Sequence, residues 1–243
     1  QGCRPGLMEY QIEAELKYVF MRNGAREPAY PPIVGSGANS CILHYTDNRE
    51  MLRNGDMLLI DAGAEYSGYA SDISRTFPVS GKFSRTQREV YEIVLDAQIA
   101  AIKKIKPGRH WHEPHEAAVE VLTRGLVDLG ILKGRVRQLT KDQAYTKYFM
   151  HRTGHWLGMD VHDVGDYKVE GEWRTFEPNM VLTVEPGLYF PAGTRGLAKK
   201  WWNIGIRIED DVLVTAKGNE ILSRDAPKTV AEIEAVMAHA VAA

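Results

Sequence analysis

The sequence has few cysteines and little charge imbalance. Of its 243 residues only Cys3 and Cys41 are cysteines, which is too few for a disulfide framework and includes no CxxC pair. We therefore expect a reducing, cytoplasmic setting. The 30 basic residues nearly balance the 32 acidic ones, and the net charge of −2 lacks the positive excess of a general nucleic-acid-binding protein. We expect no nucleic-acid partner.

Long hydrophobic runs are also missing. No stretch approaches the roughly 18 consecutive apolar residues of a membrane span, and the N-terminus lacks the basic and then apolar pattern of a signal peptide. We therefore expect no membrane association. The sequence begins with Gln1 rather than Met, and a helical pattern starts within ten residues. We expect that it opens within a domain.

Apolar residues recur at helical spacing in several segments. From Met8 to Phe20 they follow a helical period, and Gly24 is a typical stop. Ser84 and Gln87 form a capping-box pattern before a second amphipathic segment. The predicted helices are 8–20, from Ser84 to Pro107, about 115–129, and the tail 227–243.

The strand-like segments point to an internal duplication. Residues 57–61 and 69–77 have the pattern of a hairpin around the turn at 66–68, while IVG and CILHY are expected to form short extended pieces. The run 57–63 (MLLIDAG) has a loose counterpart in 180–187 (MVLTVEPG). Each run follows a basic-Pro-Gly triplet and a helix, and each precedes another acid-bearing strand. This order predicts a duplicated α+β unit around a central sheet.

Five side chains at the ends of these apolar runs are candidates for chemistry. They are Asp61, Asp72, His155, Glu185 and Glu209. An unpaired carboxylate in such a place would lose several kcal/mol of solvation free energy. Taken singly, each acid also fits a turn or a capping role. Their repetition in both halves favours one shared site.

The strand IGIRIEDD offers a second interpretation for one of these acids. Strand alternation places Arg207 and Glu209 on one face, opposite Ile206 and Ile208, so that Glu209 pairs with Arg207 in the purely structural alternative. The two following acids, 210 and 211, are expected to face solvent.

Four carboxylates and one imidazole form a hard, oxygen-rich donor set. Such a set suits two divalent ions of the Mn²⁺, Co²⁺, Fe²⁺ or Zn²⁺ kind better than a structural zinc site, which normally uses thiolates. Two ions about 3.5 Å apart activate a water molecule and polarise a carbonyl group. The donor set therefore predicts hydrolysis of an amide or an ester.

Further histidines accompany the acids. The segment HRTGHWLGMDVHDVG contains His151, His155 and His162 at spacings that differ from a helical HExxH zinc site, and His44 lies in LHY. Each alone fits a core or turn position, but beside a carboxylate cluster they favour acid–base or substrate-orienting roles. Four other histidines are expected to be exposed: His110, His112, His115 and His239.

Taken together, the motifs resemble a known family. DAGAEYSGYASDISRTF, GHWLGMDVHD, TVEPGLY and GIRIEDD look like the catalytic domain of the pita-bread metallopeptidases, and CILHYTDN and GNEIL resemble Xaa-Pro aminopeptidase. The resemblance implies an α+β pita-bread fold, in which pseudo-two-fold halves surround a curved, mainly antiparallel sheet. It also implies that residues 1–243 form one catalytic domain. Relatives of this type carry an N-terminal domain upstream, so we expect that domain and the first catalytic helix to be missing here.

The resemblance also implies a dinuclear site, usually with Mn²⁺. Asp61 matches a ligand of one ion, and His155 and Glu185 match ligands of the other. Asp72 and Glu209 match residues that bridge both ions. Glu185 additionally matches the group that shuttles the proton of the attacking water.

Other residues match substrate-binding and orienting positions. His44 and His162 match histidines that hydrogen-bond the substrate around the scissile peptide, and His151 matches a further substrate-binding histidine. Arg207 matches a residue that orients the metal ligands. The loop 152–154 reads Arg-Thr-Gly where Gly-Leu-Ser is expected, and since this loop borders the substrate, a shift in specificity is expected.

The implied activity is release of the first residue from peptides with proline at the second position. The bond to a proline nitrogen is a tertiary amide without an N–H, which ordinary peptidase sites fit poorly. Prolidase, which cuts Xaa-Pro dipeptides, is the alternative with the same catalytic residues, and methionine aminopeptidase fits less well. An inactive peptide-binding module is the alternative from another class. For the full-length protein we expect a homo-oligomer, either a dimer or a tetramer.

Overall fold

A computed structural model describes residues 2–240 of the chain, with side chains up to residue 238. Five α-helices lie in this range: α1 (Glu9–Arg22), α2 (Arg85–Ile102), α3 (His112–Asp128), α4 (Val136–Lys141) and α5 (Val230–Ala240). Short 3₁₀ turns cover Gly37–Cys41, Ala144–Lys147 and Lys199–Trp201. No helix of the described residues is both long enough and apolar enough to cross a membrane.

The strands form small antiparallel sheets. In the first half they are β1 (Ile33–Ser36), β2 (Met57–Ala62), β3 (Glu65–Tyr66), β4 (Tyr69–Ala70) and β5 (Ile73–Pro78). In the second half they are β6 (Lys168–Val169), β7 (Glu172–Trp173), β8 (Val181–Val184), β9 (Gly187–Phe190), β10 (Ile204–Arg207), β11 (Asp210–Val214) and β12 (Asn219–Ile221). Every pair of these strands is antiparallel, as expected for the sheet.

The two halves present matching three-stranded sheets. The strand order is β1-β2-β5 in the first half and β12-β11-β8 in the second, and β9 and β10 pair between them. The two sheets meet where the Glu209 amide donates to the Ser74 carbonyl oxygen at 3.1 Å. The duplicated α+β organisation predicted from the sequence is therefore present, and the acid-bearing strand ends come together at the junction.

The largest hydrophobic cluster holds α2, α3 and α5 against these sheets, while α1 packs on a smaller cluster that includes Leu58 of β2. Helices α2 and α3 pack side by side, and Gly125 of α3 permits their close approach, because a Cβ there would lie 2.4 Å from Cγ2 of Ile93. Leu122 and Leu126 of α3 are fully buried together with Leu188 of β9. Burying each such leucine contributes about 2 kcal/mol. The junction of the sheets therefore rests on a rigid base.

The predicted helices are present with shifted ends. The capping box before α2 is formed, with the Ser84 amide donating to Gln87 Oε1 at 2.9 Å and the Gln87 amide donating to Ser84 Oγ at 3.3 Å. Helix α2 ends at Ile102 rather than near 105, and α3 begins at 112 rather than 115. The tail forms α5, and residues 241–243 lie outside the described residues. Helix α4 was not predicted, since six residues are too short for a clear period.

One strand prediction is wrong. IVG forms β1, but CILHY is not extended, because residues 37–41 wind into a 3₁₀ turn. The Ser40 hydroxyl donates to the Gly37 carbonyl oxygen at 2.6 Å and accepts from the Gly205 amide at 2.9 Å. The turn thus packs across β10 and directs the following segment, with His44, toward the junction.

Candidate metal centre

A cavity of about 690 Å³ opens at the junction of the two halves. All five predicted ligands line it, and so do the three histidines expected to bind the substrate and the arginine expected to orient the ligands. These nine are Asp61, Asp72, His155, Glu185, Glu209, His44, His151, His162 and Arg207. The structure therefore brings every predicted site residue to one place.

The two acids of the first half are joined by a tyrosine. Asp61 lies at the end of β2, and Asp72 lies just before β5. The hydroxyl of Tyr30 contacts Oδ1 of both carboxylates. Since a hydroxyl carries one proton, it donates to one carboxylate at a time. The second carboxylate needs a cation or a proton to offset its burial.

The tightest group of donor atoms combines both halves. Ligand atoms of Asp72, His155 and Glu209 all lie within 4.8 Å of one another. His155 Nε2 is 3.3 Å from Asp72 Oδ2 and 3.7 Å from Glu185 Oε1. Its Nδ1–H donates to the Trp156 carbonyl oxygen at 2.9 Å, which leaves Nε2 facing the acids. This is the orientation of a metal-ligating histidine.

Burial shifts the acids toward their protonated forms. It raises the pKa of Glu185 to about 8 and the pKa of Glu209 well above its usual range, and neighbouring carboxylates add to the shift at Glu209. The pKa of Asp72 is also raised, mainly by burial. Several desolvated carboxyl groups around one cavity are typical of a site that binds divalent cations. The donor set fits such ions.

Arg207 is tied to Asp61 rather than to Glu209. Its Nη2 donates to Asp61 Oδ2 at 2.6 Å. Burial raises the pKa of Asp61, but the Arg207 charge and hydrogen bonds outweigh this effect and lower the pKa overall. The direct Arg207–Glu209 pair, the structural alternative for Glu209, is not formed. Ser74 joins the two residues instead, accepting from Arg207 Nε at 2.9 Å and donating to Glu209 Oε2 at 2.8 Å.

The histidines occupy different parts of the cavity wall. His151 Nε2 is 2.8 Å from the Tyr189 hydroxyl, and its Nδ1 is 2.7 Å from the Arg152 carbonyl oxygen. Burial lowers the pKa of His151 to about 3, so its imidazole is neutral at pH 7. The His162 ring stands edge-on to the His155 ring, with 4.2 Å between centroids. His162 therefore lies beside His155 and lines the cavity.

Two acids that were expected to face solvent are buried. Asp210 is fully buried, where Arg75 Nη2 approaches its Oδ1 at 2.8 Å and Lys228 forms a second ion pair. Asp211 Oδ2 accepts the Asp72 amide at 3.1 Å. The prediction failed because both faces of β11 are covered: Gln98 of α2 contacts Asp210, and the Asp72 backbone contacts Asp211. The alternation rule assumes one face in water, and a central strand packed on both sides has none.

The other histidines follow the prediction only in part. His110 is exposed, as expected. His112 and His115 are half-buried on α3, with His112 stacked on Trp173 and His115 Nδ1 lying 2.8 Å from Thr153 Oγ1. The prediction failed because α3 starts one turn earlier than expected and faces the cavity wall. The side chain of His239 lies outside the described residues.

Several residues of the site were not identified from the sequence. Tyr30 lies in a proline-rich loop, and Ser74 and Tyr189 lie in ordinary strands. Trp111 and Trp173 form part of the cavity wall. None belongs to a pattern of charged residues, and their positions became apparent only from contacts between distant segments.

Comparison with known proteins gives consistent relatives. The profile of metallopeptidase family M24 matches residues 1–216. The chain is 51% identical over 237 residues to Xaa-Pro aminopeptidase of Escherichia coli, covering 98% of the chain and 53% of that protein. It is 49% identical to Xaa-Pro aminopeptidase of Haemophilus influenzae, covering 98% of the chain and 55% of that protein. The chain thus spans about half the length of these relatives.

Solved structures show the same fold. The chain superposes on an aminopeptidase of Pseudomonas aeruginosa with a TM-score of 0.98 and 58% identity, covering 99% of the chain and 55% of that structure. For zinc-substituted Escherichia coli aminopeptidase P in complex with product, the TM-score is 0.95 at 51% identity, with 98% and 54% covered. These similarities confirm the predicted α+β pita-bread fold.

Proposed function

Because this chain belongs to metallopeptidase family M24, we propose that it hydrolyses the peptide bond between a first residue and a following proline. The products are the free first residue and a peptide that begins with proline. One observation carries the proposal: the buried carboxylates and His155 gather in one cavity. Relatives about 50% identical are named Xaa-Pro aminopeptidase, which supports the same substrate class.

In this proposal five side chains hold two divalent ions. Asp61 would hold one ion, His155 and Glu185 would hold the other, and Asp72 and Glu209 would contribute to both. The 3.3 Å contact between His155 Nε2 and Asp72 Oδ2 supports this arrangement, since it brings donor atoms from opposite halves together. Manganese is the proposed ion, because the donor set is mostly carboxylate oxygen, which suits Mn²⁺.

Such ions, when bound, lower the pKa of water and polarise a carbonyl oxygen. The chain's own residues complete the reaction. Glu185 takes the proton of the attacking water on a carboxylate oxygen and delivers it to the proline nitrogen, which has no proton of its own. His162 and His44 hydrogen-bond the scissile peptide. His162 also stabilises the negative charge that develops on the carbonyl oxygen of that peptide bond during the reaction.

Two further residues keep this machinery in place. Neutral His151, held by Tyr189 and the Arg152 carbonyl, binds the substrate without adding a positive charge beside the ions. Arg207 fixes Asp61 through a charge-assisted hydrogen bond and reaches Glu209 through Ser74. These hydrogen bonds support a preorganised site.

Location and assembly belong to the proposal as well. Cys3 and Cys41 are free thiols, which supports a reducing, cytoplasmic setting. We also predict that the full-length protein assembles into a dimer or a tetramer. Its oligomeric state can be measured by analytical ultracentrifugation.

The test compares peptides on metal-free protein reloaded with Mn²⁺. An Ala-Pro-Ala tripeptide is expected to release alanine, while Ala-Ala-Ala is cleaved far more slowly. Cleavage of Ala-Pro but not of the tripeptide would transfer the assignment to prolidase. Mn²⁺ uptake with no release from either peptide would favour a peptide-binding module.

A further inference from the structure

The loop between His151 and His155 is held from two sides. It carries Arg-Thr-Gly at 152–154, and its central residue, Thr153, is only 3% exposed. Helix α3 lies on one side of the loop, and strand β8 with Glu185 lies on the other. A buried threonine in a cavity-lining loop needs partners for both its backbone and its hydroxyl.

On the β8 side, the loop pairs with the strand through its backbone. The Thr153 carbonyl oxygen accepts the Glu185 amide at 2.8 Å, and the His155 carbonyl oxygen accepts the Thr183 amide at 3.0 Å. The His155 amide in turn donates to Thr183 Oγ1 at 3.1 Å. The placement of His155 and that of Glu185 are therefore linked through these hydrogen bonds.

On the opposite side, one side-chain contact connects the loop to the helical core. His115 Nδ1 lies 2.8 Å from Thr153 Oγ1, and the His115 ring packs 5.8 Å from that of Phe149. Burial lowers the pKa of His115 to about 4, so the ring is neutral at pH 7. His115 stands on α3, a helix of 17 residues anchored in the main core. The contact thus fixes Thr153 relative to a rigid element.

The packing leaves the loop little room for adjustment. A Cβ on Gly154 would lie 2.1 Å from the Thr183 carbonyl oxygen. A displacement of Thr153 therefore moves the Glu185 amide, which donates to its carbonyl oxygen, and also shifts His155, which follows two residues later in the same loop.

We propose that His115 is a positioning residue, which acts through Thr153 to set the geometry of His155 and Glu185. It lines the outer side of the loop and contacts neither of these two side chains. The inference rests on the proposed function, since His155 and Glu185 are the proposed ligands of one ion. In the alternative, His115 is an ordinary packed histidine whose hydrogen bond affects only stability.

The test removes the hydroxyl of Thr153 and keeps its shape. In Thr153→Val, Mn²⁺ binding is expected to weaken about tenfold, and kcat is expected to fall by a similar factor with little change in KM, as for loss of one buried hydrogen bond. Thr153→Ser retains the hydroxyl and is expected to restore both. The matched control is Thr123→Val, since Thr123 is a fully buried threonine of α3 whose hydroxyl has no partner among the described residues.

His115→Phe supplies the reciprocal variant, because it keeps an aromatic ring against Phe149 and removes the nitrogen. Combined with Thr153→Val, it should have no further effect on Mn²⁺ binding, since both changes remove the same hydrogen bond. Independent, multiplying losses would show that the two residues act separately and would contradict the proposal.

A third measurement needs neither metal nor turnover. In metal-free protein, the Glu185 amide is expected to exchange with solvent faster in Thr153→Val than in Thr123→Val. If Thr153→Val matches the control in metal affinity, kinetics and exchange, the positioning role is wrong while the proposed function stands. If the unmodified chain cleaves no peptide, the proposed function fails, and the exchange rate alone decides whether His115 positions the loop.

Discussion

Nη2 of Arg207 lies 2.6 Å from Oδ2 of Asp61, and this ion pair links residues 146 positions apart in the chain. Both side chains are buried, at 3% and 12% exposure. The same guanidinium donates to the Tyr189 hydroxyl at 3.0 Å and to Ser74 Oγ. The Arg207 guanidinium therefore neutralises the Asp61 carboxylate of the first half while its hydrogen bond to Tyr189 holds it in the second half.

Arg207→Gln is expected to destabilise the metal-free protein by about 3 kcal/mol, because it leaves the Asp61 carboxylate buried without its cation. Urea unfolding measures this loss as a shift in midpoint. Arg224→Gln is the control, since Arg224 meets Glu220 at 3.5 Å on the exposed surface and such pairs contribute little. Equal midpoints for the two variants would show that the buried pair is not needed for folding.

Asp72→Asn is expected to lose dinuclear metal binding while the fold is retained, because a neutral amide is a weaker ligand that seldom bridges two cations. Metal content after dialysis against Mn²⁺ gives the stoichiometry, and circular dichroism reports the fold. Asp96→Asn, an exposed change on α2, serves as control. Normal metal content and peptidase activity in Asp72→Asn would refute the ligand assignment.

Gly154→Ala is expected to reduce both metal binding and activity strongly. The added Cβ would sit 2.1 Å from the Thr183 carbonyl oxygen, so the loop must move away from β8. Gly218→Ala is the matched control, since nothing lies within 4 Å of its added Cβ. Titration with Mn²⁺ compares the metal affinity of the two variants. Equal Mn²⁺ affinity would mean that the loop tolerates the displacement.

The metal-free protein is expected to lose stability as the pH rises from about 6.5 to 8. Burial raises the pKa of Glu185 to about 8 and that of Asp211 to about 7, so the folded state holds protons that the unfolded chain releases near pH 4. Stability from a raised pKa is present at low pH and is lost as the pH passes the folded value.

Two half-buried histidines have the opposite effect at lower pH. The pKa values of His115 and His151 are lowered by burial to about 4 and 3, so their contribution to stability grows up to pH 6.5 and is then constant. Thermal unfolding in buffers from pH 6.5 to 8 measures the carboxyl effect together with a change of the same sign from His155, since burial lowers the pKa of His155 but its hydrogen bonds and the neighbouring acids outweigh this and raise it. Saturating Mn²⁺ should reverse the trend, since ligands bind the ion when deprotonated. A flat profile without metal would contradict the raised pKa values.

The candidate site residues could be located from the sequence because their signals are local. Asp61 and Glu185 each end an apolar run followed by a turn, and the two runs repeat one pattern. A carboxylate in such a place is costly without a partner, so the sequence itself indicates that the acids meet. The α+β duplication followed from the same repeat.

The positions of the residues that the sequence analysis did not identify correctly are set by contacts between distant parts of the chain. Tyr30 has no sequence feature that distinguishes it from a loop tyrosine, yet its hydroxyl lies between two carboxylates. The burial of Asp210 follows from contacts with Gln98 of α2 and with cations from two distant segments. Which faces of a strand are covered is set by packing of the whole fold, and local periodicity does not encode it.

The meeting of the two sheets at Glu209 and Ser74 has a kinetic consequence. Ser74 and Glu209 are 135 positions apart, and closing such a contact costs loop entropy, so contacts of this kind slow folding. The acids are not held together in the unfolded chain, which we expect to bind metal ions much more weakly than the folded protein does. Metal binding is therefore expected to stabilise the folded state, and metal affinity can be used to monitor folding.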